Sequence, residues 1–527
     1  MKRIVWFGVL ALMLAAVPGF SAPPVLDFLD SLQEAHMETV GTPRDPMARA
    51  TEMKALQQRL AGAQVEKAMA RPVVIQLTAK DRQQIDEPTA RDTRFLVGVA
   101  KPVGLTVDFA PAQALGKREG ALKLGAARGT GDAGFVWTAE VKAPGATALR
   151  LHITDFDLPE GAELYVYNMA GMAFGPYTGR GPLGTGDLHT NTVYGDRLLV
   201  QLTSPAGERA PRLTVAEAGV MGARFVAPRY RPEGAFDAND VEALAKASNL
   251  CSFNANCIVN AACQSSAVVN AAKDAIASIL YKSGASYYIC TGGLVADTVT
   301  TSVIPYFLTA HHCISASGEA SSLETYFDYE TTCSNPNCAQ PYNSVGETVG
   351  ATIMATGSTS DYSLVRLATT PTSPDGVTTY LGWTATPIAN TNNAGLYRIS
   401  HPQGAPQAYT EAVVDTSKPT CRTLARGNFI YSRDTIGATE GGSSGSPVLN
   451  SSGQIVGQLY GACGTNLNDV CDAQNNGTVD GAFAVSYSAL AAFLNPSSGG
   501  TCSAAGASCT TSSQCCAGLS CKGKVCR

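Results

Sequence analysis

Two segments of this chain carry the residue types that covalent chemistry needs. One is the glycine-flanked serine run Gly442-Ser443-Ser444-Gly445-Ser446-Pro447; the other is Thr309-Ala310-His311-His312-Cys313. Glycine permits the tight, partly positive-φ turn that presents a serine Oγ together with a neighbouring backbone N–H. A serine hydroxyl is a weak nucleophile at neutral pH, so a base must lie beside it in space. Histidine is the side chain best suited to that task. Serine with histidine therefore points to acyl transfer through a covalent intermediate.

The serine run offers two nucleophiles. Gly441-Gly442-Ser443-Ser444-Gly445 fits G-x-S-x-G, the elbow of lipases and esterases, with Ser443 reacting. That arrangement requires a histidine after the serine. The histidines are His36, His152, His189, His311, His312 and His401, and all precede Ser443. Chain order therefore excludes the esterase reading. A subtilisin-like order, Asp then His then Ser, lacks the parallel α/β pattern it would need. The order His, Asp, Ser remains, with Ser444 as nucleophile and His312 as general base. His311 is its neighbour, expected to point the other way along the chain. A carboxylate between them must hold the imidazole tautomer, and Asp328, Asp361, Asp375, Asp415 and Asp434 are available. Asp361 is preferred because it heads the alternating strand Asp361-Tyr362-Ser363-Leu364-Val365-Arg366-Leu367. The others sit in turn-like contexts, where aspartate makes local hydrogen bonds. The N–H groups of Gly442 and Ser444 would form the oxyanion hole. Alternating strands follow the serine run, which argues against a flexible linker.

These residues must be positioned by a large scaffold. At 527 residues the chain exceeds one ordinary core, and two to four domains are expected. With 15% charged and 45% hydrophobic residues it is folded rather than disordered, and a net charge of -5 gives no reason to expect nucleic acid. Residues 1–21 read as a secretory signal peptide: Lys2 and Arg3, an apolar run, then small residues. No later stretch is apolar enough to span a membrane. All sixteen cysteines lie at or after Cys251, and an even number in an exported chain implies disulfides.

Residues 22–92 read as a helical pro-segment, rich in helix formers over Met47 to Lys67. Alternating strands separated by Gly and Pro turns make 93–222 a β-sandwich. Its segment from Asp155 to Asn168 resembles the jelly-roll domains that accompany exported bacterial peptidases. His152 and His189 within it are expected to be structural. Residues 223–250 read as a linker and processing region. Residues 251–495 contain short strands and Gly/Ser/Thr/Asn turns, best read as two barrels closed by a helix at Ser488 to Leu494. A helix over Ala267 to Leu280 is also compatible with composition. After a linker at 496–501, residues 502–527 hold six cysteines, too many for so short a segment to be core packing. The expected fold is thus mainly β: a chymotrypsin-like double β-barrel, preceded by a β-sandwich pro-region and followed by a small disulfide-rich knot.

Thr-Ala-x-His-Cys resembles the histidine segment of trypsin-like peptidases. Cys290-Thr291-Gly292-Gly293-Leu294-Val295, Phe307 to Cys313, Thr359-Ser360-Asp361-Tyr362, Gly442 to Pro447 and Gly457-Gln458-Leu459-Tyr460-Gly461 together resemble bacterial lysyl endopeptidases over roughly 250 to 497. That resemblance implies disulfides Cys290–Cys313, Cys251–Cys463 and Cys257–Cys333, leaving Cys263, Cys338, Cys421 and Cys471 unassigned. The tail resembles inhibitor cystine knots, which implies Cys502–Cys516, Cys509–Cys521 and Cys515–Cys526. In vertebrate trypsin-like zymogens a new N-terminal ammonium pairs with an Asp just before the nucleophile. Here that position is Ser443, so control is expected from removal of the N-terminal region, with cleavage after Lys246 as self-processing. Lysyl endopeptidases place an Asp in the S1 pocket. The matching position here is Thr478, with Asp480 two residues on and Glu440 nearby as alternative acids for Lys or Arg selection.

The resulting expectation is a secreted serine endopeptidase, made as a preproprotein and cutting after Lys or Arg. The alternative is a secreted binding or adhesion protein with a peptidase-like domain. Protein or peptide substrates are the expected partners of a monomer, and the knot would bind a cell surface or polysaccharide. No cofactor or metal is implied, since there is no H-E-x-x-H helix or paired C-x-x-C site.

Overall fold

The computed structural model describes residues 34–496 apart from 43–45, 70, 88–93, 208, 227–249, 252, 300–302, 332, 334–347, 372–376 and 422, together with 521–522 and 525–526. Residues 1–33, Lys246, Asp375, Cys338 and most of the C-terminal tail lie outside the described residues, so the expectations for them do too. The strands Cys521–Lys522 and Val525–Cys526 pair antiparallel.

Two short strands open the described chain, Glu34–Ala35 pairing with Trp383–Thr384 and Glu38–Thr39 with Thr379–Tyr380, so the segment is not the purely helical one expected. Helices follow, the longest spanning Pro46–Ala63, as its composition predicts. A shorter one, Ala79–Asp86, starts at a reciprocal cap in which Thr78 and Asp81 satisfy each other's backbone N–H. The sandwich follows. One sheet is ordered 173–177, 163–167, 197–204, 135–142, 126–129 and 119–121. The other runs through Ala148–Asp157, Arg212–Met221 and Phe95–Asp108.

This second sheet does not end at the sandwich. Ser286 to Ile289 pair with Val99 to Phe95, so Phe95–Asp108 is shared between sandwich and barrel. The sequence explains why one strand serves both. Phe95-Leu96-Val97-Gly98-Val99-Ala100 is buried throughout, as a strand covered on both faces must be, and burial alternates beyond it. Glycines allow the close approach: a Cβ on Gly219 would meet the Tyr287 ring at 2.7 Å.

The junction also buries charge. Glu324, fully buried on a barrel strand, accepts hydrogen bonds from Asn191 Nδ2 (3.1 Å), Thr192 N (2.9 Å) and Thr192 Oγ1 (2.6 Å), all in the sandwich. Arg150, also buried, lies 3.9 Å from the same carboxylate and donates to Ser322 O across the junction. Separation of the two bodies would strip Glu324 of these partners.

Residues 276–367 form the first barrel: 276–283, 286–294, 306–310, 362–367 and 351–357 in sequence around the sheet, with 324–326 returning to 276–283. A bridge from Glu324 to Val349 closes it. Ala267–Ala275 is a helix, capped by Ser266, and the chain turns into a strand at Ile276. The helical reading of 267–280 is therefore right for its first two turns only. The second barrel is ordered 395–400, 408–414, 429–436, 476–482, 455–464 and 447–450, and the last strand pairs back to the first. Leu396, Ala412, Val414, Ile430, Val448 and Val456 fill its centre. Phe483–Leu494 forms the closing helix, longer than the sequence suggested.

Disulfides join Cys257–Cys471, Cys263–Cys333, Cys290–Cys313 and Cys421–Cys463. The expected Cys290–Cys313 bridge is present. Cys251–Cys463 and Cys257–Cys333 are not: the strand holding Cys463 lies over the loop of Cys421, and the 464–476 loop brings Cys471 to Cys257. Cys251 is disulfide-bonded to a cysteine other than Cys463. Bridges of this kind fit an oxidising, extracellular setting. No described helix is long and apolar enough to cross a membrane.

Candidate active site

The first barrel supplies the histidine and the acid; the second supplies the serine. His312 follows the buried strand Tyr306–Ala310, and its loop is anchored by the Cys290–Cys313 bridge. Asp361 precedes the paired strand Tyr362–Leu367 and takes a left-handed φ of 53°. Aspartate tolerates this conformation better than most residues. The turn is held from the second barrel: Gln458 Nε2 donates to Ser360 O (2.6 Å) and Asp361 O (3.2 Å). Gly481 makes room, since a Cβ there would lie 1.8 Å from Ser360 O.

Asp361 is 3% exposed and grips His312 twice. Its Oδ2 lies 2.7 Å from His312 Nδ1, and its Oδ1 accepts the His312 backbone N–H at 2.9 Å. One carboxylate therefore sets both ring tautomer and loop position. His311 points elsewhere, its Nδ1 2.8 Å from Thr356 Oγ1. His401 is buried and stacked on Tyr329. His312 Nε2 is buried and has no hydrogen-bond partner among the described residues, so the bond from Ser444 Oγ is not formed in this state. Such bonds commonly tighten only when substrate arrives.

Ser444 lies against the histidine loop. Its carbonyl accepts Thr291 N (2.8 Å) and lies 3.9 Å from Cys313 Sγ, and the next residue donates to Leu459 O (2.8 Å). Gly442 and Gly445 have φ of 98° and 82°, conformations that only glycine adopts without strain. Thr291 Oγ1 donates to Gly442 O at 2.8 Å and so braces the turn from the first barrel. Among the described residues, no group accepts from the N–H of Gly442 or Ser444. Ser443 is fully buried with an unpartnered hydroxyl. Tyr460 sets its ring edge-on to His312 at 5.7 Å. Thr291, Gln458 and Tyr460 fell within motifs quoted from the sequence, but nothing in their spacing marked these contacts.

The specificity acids are placed differently from expectation. Asp480 faces inward in the second barrel, fully buried, with Arg398 Nη1 at 2.9 Å and Nη2 at 3.0 Å. Its charge is already neutralised, so it is not a free acid for a substrate cation. Glu440 is likewise taken, accepting from Asn254 Nδ2 (2.7 Å), Ala255 N (3.0 Å) and Gln403 Nε2 (3.0 Å). Thr478 donates to both oxygens of Asp434, at 3.0 and 2.9 Å. Asp434 is half-buried on the strand Phe429–Ile436. Desolvation pushes its carboxyl up to about 6, against the pull of Arg398. A carboxylate so placed is stabilised by an incoming cation.

The Arg398–Asp480 pair yields a stability test. Arg398→Met would leave a fully buried carboxylate without its counter-ion, and we expect a loss of about 3–5 kcal/mol in denaturant unfolding. A change below about 1 kcal/mol would show that Asp480 does not depend on Arg398.

Residues 246–479 match the family described as lysyl endopeptidase, C-terminal domain. A lysyl endopeptidase of Pseudomonas aeruginosa is 30% identical over 339 residues, covering 60% of this chain and 65% of the relative. Secreted RxLR effector protein 73 of Plasmopara viticola is 29% identical over 201 residues, covering 36% of this chain and 46% of that protein. The chain thus spans less than two thirds of the length of either. Among solved structures, the active form of the Rv3671c protease of M. tuberculosis aligns with a TM-score of 0.29 and 17% identity, covering 44% of this chain and 85% of that one.

Proposed function

We propose, from the match of residues 246–479 to the lysyl endopeptidase C-terminal domain family, that this chain is a secreted serine endopeptidase acting through an acyl-enzyme. The observation that carries the proposal is the doubly held His312–Asp361 pair beside the Ser444 turn. In this reading Ser444 Oγ attacks the scissile carbonyl while His312 Nε2 takes its proton. Asp361 holds Nδ1–H and stabilises the imidazolium. The free N–H groups of Gly442 and Ser444 receive the oxyanion. His312 then returns the proton to the leaving amine, and water repeats the cycle on the ester.

The chain is made with a signal peptide (1–21) and a pro-region (22–92 and 93–222) that acts as folding aid and inhibitor. Cleavage within 223–250, after Lys246, releases the enzyme at 251–495. N-terminal sequencing of the secreted form tests this, and a start far from 247 would overturn it. The 502–527 tail is a cystine knot for a cell surface or polysaccharide.

Cleavage after Lys or Arg rests on Asp434, with Thr478 orienting its carboxylate at the position where lysyl endopeptidases carry their own acid. Asp434→Asn is expected to lower kcat/KM for a lysyl substrate about 10²–10³-fold, the scale of an unpaired buried charge, and to leave an uncharged substrate nearly unaffected. The carboxyl is raised to about 6. It is neutral below that pH, so the Lys-over-uncharged ratio should rise as pH climbs through 6. Taking the ratio cancels the His312 titration common to both substrates. A pH-independent ratio would sink this assignment.

The general test is mass spectrometry of a digested protein mixture, which reports activity and the residue before the cut together. If no product forms and an active-site serine probe fails to label the wild type, the adhesion-protein reading takes its place.

A further inference from the structure

We infer that Glu440 is a positioning residue for the oxyanion hole, tying the start of the peptidase domain to the Gly441–Gly442 peptide. The inference rests on the endopeptidase reading above.

Two segments, one at 254–255 and one at Gln403, converge on this carboxylate. Oε2 receives Asn254 Nδ2, while Oε1 receives Ala255 N and Gln403 Nε2. The same donors cross-link the segments further: Asn254 Nδ2 reaches Pro402 O (3.2 Å) and Gln403 Nε2 reaches Phe253 O (3.1 Å). Gln403 has a φ of 53°, which a non-glycine residue adopts only where its surroundings impose it. In that conformation its backbone N–H donates to Gly441 O at 2.6 Å.

That last bond reaches the chemistry. Gly441 O and Gly442 N–H belong to one planar peptide and point in opposite directions. Holding the oxygen on Gln403 turns the N–H the other way, where it serves as an oxyanion donor. Only glycine fits at this position, since a Cβ on Gly442 would lie 2.8 Å from His401 O. Glu440 also accepts the Ser443 N–H on its own carbonyl (3.0 Å), closing the turn. With Ser443 where an ammonium-binding aspartate would stand, the docked segment at 253–255, not a terminal charge, keeps the hole formed.

The test uses the purified active enzyme. Glu440→Gln turns an NH2 group onto at least one of three N–H donors and should lower kcat about 10²-fold, the scale of losing one oxyanion donor. KM should stay within about threefold. Affinity for a peptidyl boronic acid, which forms a tetrahedral adduct, should fall by the same factor as kcat. Asn254→Ala should do the same more weakly, and Glu440→Asp should recover part of the loss. Acetylating the mature N-terminus should leave kcat unchanged. Wild-type kcat in Glu440→Gln would overturn the inference. So would a loss confined to Lys and Arg substrates, or a loss matched by a lower melting temperature and weaker binding of product peptide. An inactive wild type would instead remove the endopeptidase reading, and this inference with it.

Discussion

Ser444→Ala is expected to lower kcat by about six orders of magnitude while leaving folding intact. The scale is that of serine peptidases stripped of their nucleophile. The two serines of the run make the experiment discriminating. Ser444 lies against Thr291 and Cys313, and no acceptor among the described residues takes the N–H groups at 442 and 444. Ser443 is fully buried, its hydroxyl out of reach of solvent. Ser443→Ala should therefore keep most activity. A fluorophosphonate probe should label the wild type at Ser444 and leave Ser444→Ala unlabelled. Labelling at Ser443, or turnover by Ser444→Ala within tenfold of wild type, would end this assignment. Weak residual turnover is expected, because oxyanion hole and substrate binding survive the substitution.

Asp361→Asn carries the second-largest expected effect, a fall in kcat of about 10⁴-fold. Asparagine is the informative replacement because it matches the shape and accepts the left-handed backbone at 361. What changes is the sense of one hydrogen bond. Oδ2 accepts from His312 Nδ1 in the wild type. An amide NH2 facing Nδ1 would hold the ring in the other tautomer, with its proton on Nε2, where the serine proton must go. Oδ1 could still accept the His312 backbone N–H, so the loop should stay in place. The expected signature is a collapse of kcat with an unchanged melting temperature. Loss of kcat below tenfold would mean that Asp361 is not the orienting acid, and another carboxylate would have to be sought.

Much of the scaffold was legible because it is written locally. Period-two alternation marked the strands at 135–141, 148–153 and 198–202, and each is a strand in the fold. Helix formers marked Met47 to Lys67, and the helix there runs Pro46–Ala63. The proposed triad came from a different signal: only six histidines exist, and chain order eliminated whole fold families before geometry was needed. Asp361 stood out as the acid at the head of an alternating strand, and the fold brings it to His312.

The failures share one cause. Asp480, Glu440 and Asp434 are three acids in similar stretches of sequence, and nothing in their neighbours tells them apart. Asp480 is cancelled by Arg398, 82 residues earlier, because the second barrel closes and turns both inward. Glu440 is claimed by Asn254 and Ala255, nearly two hundred residues away. Asp434, set aside as a turn residue, sits on a strand and accepts from Thr478 on the neighbouring strand. The disulfides Cys257–Cys471 and Cys421–Cys463 likewise depend on which loops the barrel stacks together.

The sequence by itself determined the choice of proposed nucleophile and base, their order and the β texture that carries them, because these follow from residue inventory, chain order and period-two spacing. Only the tertiary structure decided which acids are free, which cysteines meet and how the oxyanion turn is braced. A carboxylate's chemistry depends on the charge and solvent around it, and those neighbours come from barrel closure and strand register, where a partner's distance along the chain carries no information.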